Sequence, residues 1–224
     1  MCGRFALDAS EDQIINEFGI HQTYLSPKSN YNIAPTQEIP VVIQEEGRLL
    51  LDSRRWGLVP FWVKDLKMTS PMINARAETL LEKPSFKHAF KKRRCLVLAT
   101  GFYEWKKEGK QKQPMFIHLK GHPVFAFAGL WEEWKSESLP ILRTCTIVTV
   151  EPNSMMTAIH DRMPAILSSE SRTRWLDPKS DPQMLLSFLR PYPSEQMEAW
   201  PVSTKVNHVA FNHPHCMAPV ETLI

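Results

Sequence analysis

Cys95-Leu96-Val97-Leu98-Ala99-Thr100-Gly101-Phe102-Tyr103-Glu104-Trp105-Lys106-Lys107 decides the fold. Aliphatic and aromatic residues fill it without a helical period, so it reads as two strands, Cys95 to Thr100 and Phe102 to Lys107. Turn signals at Glu108-Gly109-Lys110 and Lys120-Gly121 set off further strands at Met115 to Leu119 and Val124 to Leu130, and Leu142 to Val150 adds another. Strands this close in sequence pair as neighbours. The expectation is a mixed α/β (α+β) chain, one domain over residues 1–224, around a curved, barrel-like, mainly antiparallel sheet with short flanking helices.

Working outward, Ile39 to Gln44 and Arg48 to Arg55 flank a Glu46-Gly47 turn and predict a hairpin. Ser10 and Gln13 form a capping pair ahead of Ile14, Ile15 and Phe18, and Gly19 stops that helix. A short helix after Ala77 is expected to end at Pro84. Ser154 to Ala158 is helix-like, with a strand beginning near Met163, Asp181-Pro182 opens a helix through Leu189, and Trp200 to Ser203 reads as a late strand.

Composition narrows the function classes. With 43% hydrophobic and 23% charged residues the chain can bury a core and is not a disordered segment. A net charge of only +3 means that any nucleic-acid binding must come from a local patch. Cys2, Cys95, Cys145 and Cys216 have no CxxC spacing and follow no signal peptide, which predicts reduced thiols and a cytoplasmic protein. No apolar run is long enough to span a membrane. His213, His215 and Cys216 lie close together but lack a fourth ligand at zinc-like spacing, so neither a metal nor another cofactor is expected.

The chemistry concentrates at the start, Met1-Cys2-Gly3-Arg4-Phe5. Loss of Met1 would give Cys2 a free α-amine beside its thiol, two nucleophiles that can attack one carbon in turn. An aldehyde would form an imine with the amine and then close to a five-membered thiazolidine with the sulfur. The alternative is a cysteine that is simply a small buried hydrophobe. Glu104, flanked by Tyr103 and Trp105 on an apolar strand, is a carboxylate that is either paired or working; burial would raise its pKa toward the range where it both donates and accepts protons. His160, beside Asp161 and Arg162, is either structural or a proton shuttle facing Cys2. Asn74 and Arg76 stand two apart on an extended segment and so face one side, as phosphate and sugar ligands or as part of a surface ion pair with Glu78 or a neighbour. Trp62, in Trp56-Gly57-Leu58-Val59-Pro60-Phe61-Trp62, belongs either to an aromatic core or to a wedge on which unstacked bases lie. The run from Lys83 to Arg94, with Phe86 and Phe90 interleaved, is a solvated face or the local positive patch.

Five stretches together, Met1 to Phe5, Tyr31-Asn32-Ile33-Ala34-Pro35, Ile73-Asn74-Ala75-Arg76-Ala77-Glu78, Gly101-Phe102-Tyr103-Glu104-Trp105 and Ile159-His160-Asp161-Arg162-Met163-Pro164, resemble the SRAP family, the SOS-response-associated peptidases. The resemblance implies a sensor of abasic sites in single-stranded DNA that loses its initiator methionine by self-processing and caps the lesion as a thiazolidine crosslink, with associated lyase and peptidase activity. It assigns Cys2 as nucleophile, Glu104 as the carboxyl that senses the sugar and relays protons, and His160 as the stabilising acid-base group. Asn74 would hold the opened sugar. Arg4 and Arg76 would grip flanking phosphates, Trp62 and Pro35 would lie against neighbouring bases, and Asn32 would join the DNA-binding set. The expected partner is abasic single-stranded DNA, with no membrane and no obligate protein partner.

Two other classes start from the same residues. An N-terminal-cysteine amidohydrolase would use the amine as base and the thiol on an amide carbonyl, but it would leave the basic and aromatic features without a role. A non-covalent single-strand binding module would make Cys2 incidental, and its DNA binding would survive Cys2→Ala.

Overall fold

The computed structural model describes residues 2–66 and 69–220. The removal of Met1 therefore concerns a residue outside those described. The strands are, in order, β1 (Phe5–Leu7), β2 (Gln22–Thr23), β3 (Asn30–Ile33), β4 (Glu38–Glu45), β5 (Arg48–Trp56), β6 (Asn74–Arg76) and β7 (Arg94–Ala99). They continue with β8 (Gly101–Glu108), β9 (Gln111–Leu119), β10 (Phe125–Trp134), β11 (Leu142–Val150), β12 (Met163–Pro164), β13 (Ile166–Leu167) and β14 (Met197–Pro201). The α-helices are α1 (Glu11–Phe18), α2 (Pro84–Lys92), α3 (Ser154–Thr157), α4 (Ser169–Leu176) and α5 (Pro182–Ser187).

Strands β5, β4, β7, β10 and β11 pair in that order, and β11 returns to β5 in parallel, with Thr144 opposite Arg55 and Cys145 opposite Trp56. Five strands thus close on themselves, which removes the exposed edges an open sheet would present. A second sheet, ordered β14-β9-β8-β1-β3, is antiparallel throughout. The mixed α/β class and the barrel-like sheet are as expected. The division into two sheets is not, because β7 and β8 do not pair with each other. Only Thr100 separates them, and there the chain leaves the barrel for the second sheet.

Aromatic side chains lock the two layers together. Phe5 of β1 packs edge-on to Trp56 and Phe127, with ring centroids 5.1 and 6.0 Å apart, and Phe102 of β8 meets Phe127 at 5.9 Å. Such contacts contribute about 0.5–1.5 kcal/mol each beyond the area they bury. Period-two alternation then puts Glu104 on the barrel side of β8 with Phe102, while Tyr103 turns to Phe116 on the opposite face. The anomaly in the sequence is therefore a carboxylate directed inward.

Gly101 marks the crossing because no side chain fits there: a Cβ would run into the ring of Phe116. Gly101→Ala is expected to lower stability by about 1–3 kcal/mol through overpacking, read as a lower denaturant midpoint. An unchanged midpoint would mean that the Phe116 ring swings aside without loss.

Two local readings need correction. Pro84 does not end a helix but occupies the first helical position of α2, where its missing N–H costs nothing; the turn before it, Ala77–Thr79, is 3-10. The basic run from Lys83 to Arg94 is not one patch either. Phe86, Ala89 and Phe90 face inward at helical spacing and Lys87, Lys91 and Lys92 face out. Arg93 pairs with the buried Glu132 at 2.6 Å, and the buried Arg94 donates to the carbonyls of Phe90, Lys91, Trp175 and Asp177. Among the other helices, α4 has no counterpart in the expectations, since its polar Ser-Glu-Ser-Arg start masks a face formed by Trp175 and Leu176.

Candidate active site

Cys2 sits just ahead of β1, fully buried, with its thiol 4.0 Å from the Arg4 carbonyl as a weak donor. Burial drives its pKa far above the ordinary thiol range, and the charge of Glu104 adds to that rise. The sulfur is held as a thiol. Asn74, on β6 beside Ile147 of β11, reaches across and donates its amide to the Cys2 carbonyl at 2.8 Å. Its Oδ1 is buried with no hydrogen-bond donor among the described residues. A buried acceptor left this way has the capacity to take a hydrogen bond from a donor that enters the site.

Glu104 is 3% exposed, and burial pushes its pKa up to about 7, with the charge of Asp161 adding. It is therefore present in both protonation states near neutrality. His160 follows α3, whose N-cap Asn153 accepts from Met156 N, and its Nε2 lies 3.8 Å from Glu104 Oε2. The His160 Nδ1 accepts the Arg162 backbone N–H at 3.1 Å, which places the proton of a neutral ring on Nε2, facing Glu104. Burial lowers the His160 pKa and favours that neutral form, whereas Asp161 Oδ1, 2.8 Å from Nδ1 on an exposed side chain, favours the protonated one. Burial has the larger effect.

Cys2, Asn74, Glu104 and His160 thus converge from four separate parts of the chain. Alternation along β6, with Ala75 buried between them, puts Asn74 and Arg76 on one side as expected. Arg76 is exposed and acts on Glu78 through its charge alone: Arg162 holds Glu78 with two bonds of 2.8 and 3.0 Å, and Arg162 first, with Arg76 adding, pulls the Glu78 pKa down. Trp62 is not in the core. It is 52% exposed beside Phe61 at 49%, on the loop that follows the buried Trp56. Pro35 is half-buried next to Thr36, whose φ of 74° is a left-handed conformation rare for a β-branched residue. The Thr36 N–H donates to the Trp56 carbonyl at 2.8 Å, which anchors the Pro35 turn to the base of the Trp62 loop.

Asn32 is placed differently from a strand-contacting residue. It is buried, its amide nitrogen donates to the carbonyls of Val206, His208 and Phe211, and its Oδ1 accepts from Arg4 Nη1 at 2.6 Å. Its hydrogen-bonding capacity is spent within the protein, and what it does is aim Arg4. The guanidinium of Arg4 also reaches the Val206 carbonyl and lies 5.8 Å from the Trp105 ring centre. Cys216 turns its sulfur inward to the Phe211 carbonyl at 3.2 Å, away from His213 and His215. Sequence reading missed Arg162, whose backbone orients His160 and whose side chain ties that loop to Glu78 and the Thr149 carbonyl. Its place two residues after the histidine was the available signal.

A family model described as SOS response associated peptidase (SRAP) matches residues 1–209. The chain is 48% identical over 218 residues to the abasic site processing protein YoqW of Bacillus subtilis, covering 96% of this chain and 97% of that protein. It is 36% identical over 228 residues to the abasic site processing protein HMCES of Gallus gallus, covering 87% of this chain and 67% of that protein. A crystal structure of a Bacteroides thetaiotaomicron protein superposes with a TM-score of 0.87 at 28% identity, covering 98% of this chain and 100% of the other. With the sequence match running through the cysteine, the amide, the carboxyl and the histidine that the fold gathers into one site, the chain belongs to the SRAP family.

Proposed function

We propose that this protein processes abasic sites in single-stranded DNA by forming a covalent thiazolidine through Cys2 once Met1 has been removed. The observation that carries the reading is the convergence on Cys2: Asn74 fixes its carbonyl at 2.8 Å, and the charge of Glu104 reaches its sulfur. An N-terminal residue held this way keeps its amine and thiol in one orientation, which the ring closure needs.

The ring-opened abasic sugar offers an aldehyde at its first carbon. The Cys2 amine adds to it, and the resulting hydroxyl leaves as water after taking a proton from Glu104, giving an iminium. The thiol then adds to the same carbon and gives its proton to the Glu104 carboxylate, so that one water is lost overall and the carboxyl is regenerated. His160, with Nε2–H toward Glu104, steadies the carboxylate between the two transfers. The Asn74 Oδ1 accepts from a sugar hydroxyl. Arg4 and Arg76 grip phosphates, with Asn32 acting through Arg4, while Trp62 and Pro35 lie against bases beside the lesion.

The direct test mixes the purified protein with a single strand bearing one abasic site. A denaturation-resistant adduct whose mass maps to Cys2 is expected. A tag or a retained methionine ahead of Cys2 should remove it, because the ring needs both nucleophiles on one residue; a full-yield adduct from such a protein would sink the proposal. Arg76→Ala should weaken binding to all single strands alike and reduce the salt slope by about 0.7, one phosphate contact. A loss confined to particular base sequences would show that Arg76 reads bases instead.

A further inference from the structure

Strands β8 and β9 run past the site as a long hairpin closed by a two-residue loop, Gly109-Lys110, with Glu108 opposite Gln111 and Gly109 at φ 61°. Four lysines occupy its outer half, Lys106, Lys107, Lys110 and Lys112, against one acid, Glu108. Glu108 is taken by Lys106 at 3.2 Å. Lys107 and Lys112 stand directly opposite each other, both exposed, with no ion-pair partner among the described residues. Like charges directly opposed across a sheet destabilise it. The arrangement makes sense where an anion lies across the pair.

The hairpin is also joined to the site. The Arg4 carbonyl accepts the Tyr103 N–H at 2.9 Å, so the cysteine segment lies along β8 at the residue before Glu104. Alternation puts Trp105 and Lys107 on one face, Pro114 and Lys112 lie opposite them, and the Arg4 guanidinium sits over Trp105. From Tyr103 to Lys107 is about 13 Å along the strand. The charge of Lys112 reaches far enough to bear on His160. A cation, an aromatic ring and a cation pair thus run in a row along the Tyr103 face of β8, the face opposite Glu104, and a strand leaving Cys2 meets that row at the β8 edge beside Arg4.

We propose that the Lys107–Lys112 pair is a separate phosphate-binding position, which holds the single strand several phosphates away from the lesion on one flank. It rests on the reading of the site as an abasic-DNA site. It adds a contact that lies outside the reacting centre and gives the strand one direction of exit, from Arg4 over Trp105 to the hairpin tip. With a net charge of only +3 the protein has no general field to do this.

The test is the double variant Lys107→Gln/Lys112→Gln, compared with wild type on a trinucleotide with a central abasic site and on abasic strands extended on the 5′ side only, the 3′ side only, or both. Initial binding is measured against salt, and adduct formation by denaturing gel. On strands extended along one particular side the salt slope should fall by about 1.4, the value for two single-strand phosphate contacts. The trinucleotide should crosslink at the wild-type rate, and the melting temperature should hold or rise as the lysine repulsion is removed. An unchanged slope on every strand would make the lysines a solvated tip and overturn the proposal. An equal loss on both flanks would also overturn it, since it would indicate a diffuse field and not a contact. If wild type forms no adduct with any of these strands, the functional reading itself fails, an outcome distinct from a wild type that crosslinks and a variant that matches it.

Discussion

Cys2→Ala is expected to lose the heat-stable adduct entirely and to cut abasic strands instead of capping them. Alanine is small enough to permit loss of Met1, so the variant would keep a free α-amine without the sulfur. The amine forms the imine, and the ring cannot close. An imine at the first sugar carbon acidifies the hydrogens on the next carbon, and Glu104 or His160, 3.8 Å apart beside Cys2, can remove one and expel the 3′ phosphate by β-elimination. In wild type, closure by the sulfur is expected to drain the imine first. Denaturing gels with and without borohydride, which reduces and traps an imine, separate the two outcomes. If mass spectrometry confirms a free alanine amine and yet neither trapped adduct nor cleavage above background forms, the amine is not the first attacker.

Glu104→Gln should slow adduct formation by about 10²–10⁴-fold, the usual contribution of one positioned acid-base group. Glutamine retains the size and a hydrogen bond but cannot exchange a proton. The same substitution has a second readout in stability. The Glu104 pKa is raised in the fold from 4.5 to about 7, so the native state holds this proton more tightly than the unfolded chain. Its contribution to stability is fully present below about pH 4.5 and is lost as pH rises through about 7. At pH 8 the variant should therefore be the more stable protein, by up to about 3 kcal/mol. His160 acts in the opposite sense, since its lowered pKa adds stability as pH rises. Denaturant unfolding across this range checks the sign. A variant that crosslinks at the wild-type rate and is less stable at pH 8 would show Glu104 to be a structural carboxylate.

How much of this was legible before the fold is best seen residue by residue. The β4–β5 hairpin with its Glu46-Gly47 turn, the capping box of Ser10 and Gln13, and the Gly19 stop are local devices, set by neighbours a few positions apart, and they stand where the sequence put them. For Glu104 the sequence left open whether the carboxylate is paired or working, and its inward direction came with the fold, where it shares the barrel side of β8 with Phe102. Pro84 was misread because a proline stops a helix and starts one with equal ease, and only the preceding 3-10 turn shows which. Asn32 joined the DNA-binding set through the family resemblance alone; its burial depends on carbonyls from residues 206 to 211, some 170 positions away.

By itself the sequence determined the long strands of β4, β5 and β7 to β11, the caps, the cysteine beside the first methionine and the set of chemistry-bearing residues, since each of these depends on residue type and short-range spacing, whereas the short strands β1, β2, β3 and β13 had no such signal. Only the tertiary structure decided that five strands close through β11 and β5 into a barrel, that the chain changes sheet at Thr100, and that Arg162 takes Glu78 and leaves Arg76 exposed. The physical reason is that pairing partners and burial are long-range. Whether a carboxyl is raised to about 7 depends on how completely the surrounding layers exclude water from it. No stretch of sequence around Glu104 carries that information, because the groups beside it, Cys2 and His160, arrive from distant parts of the chain.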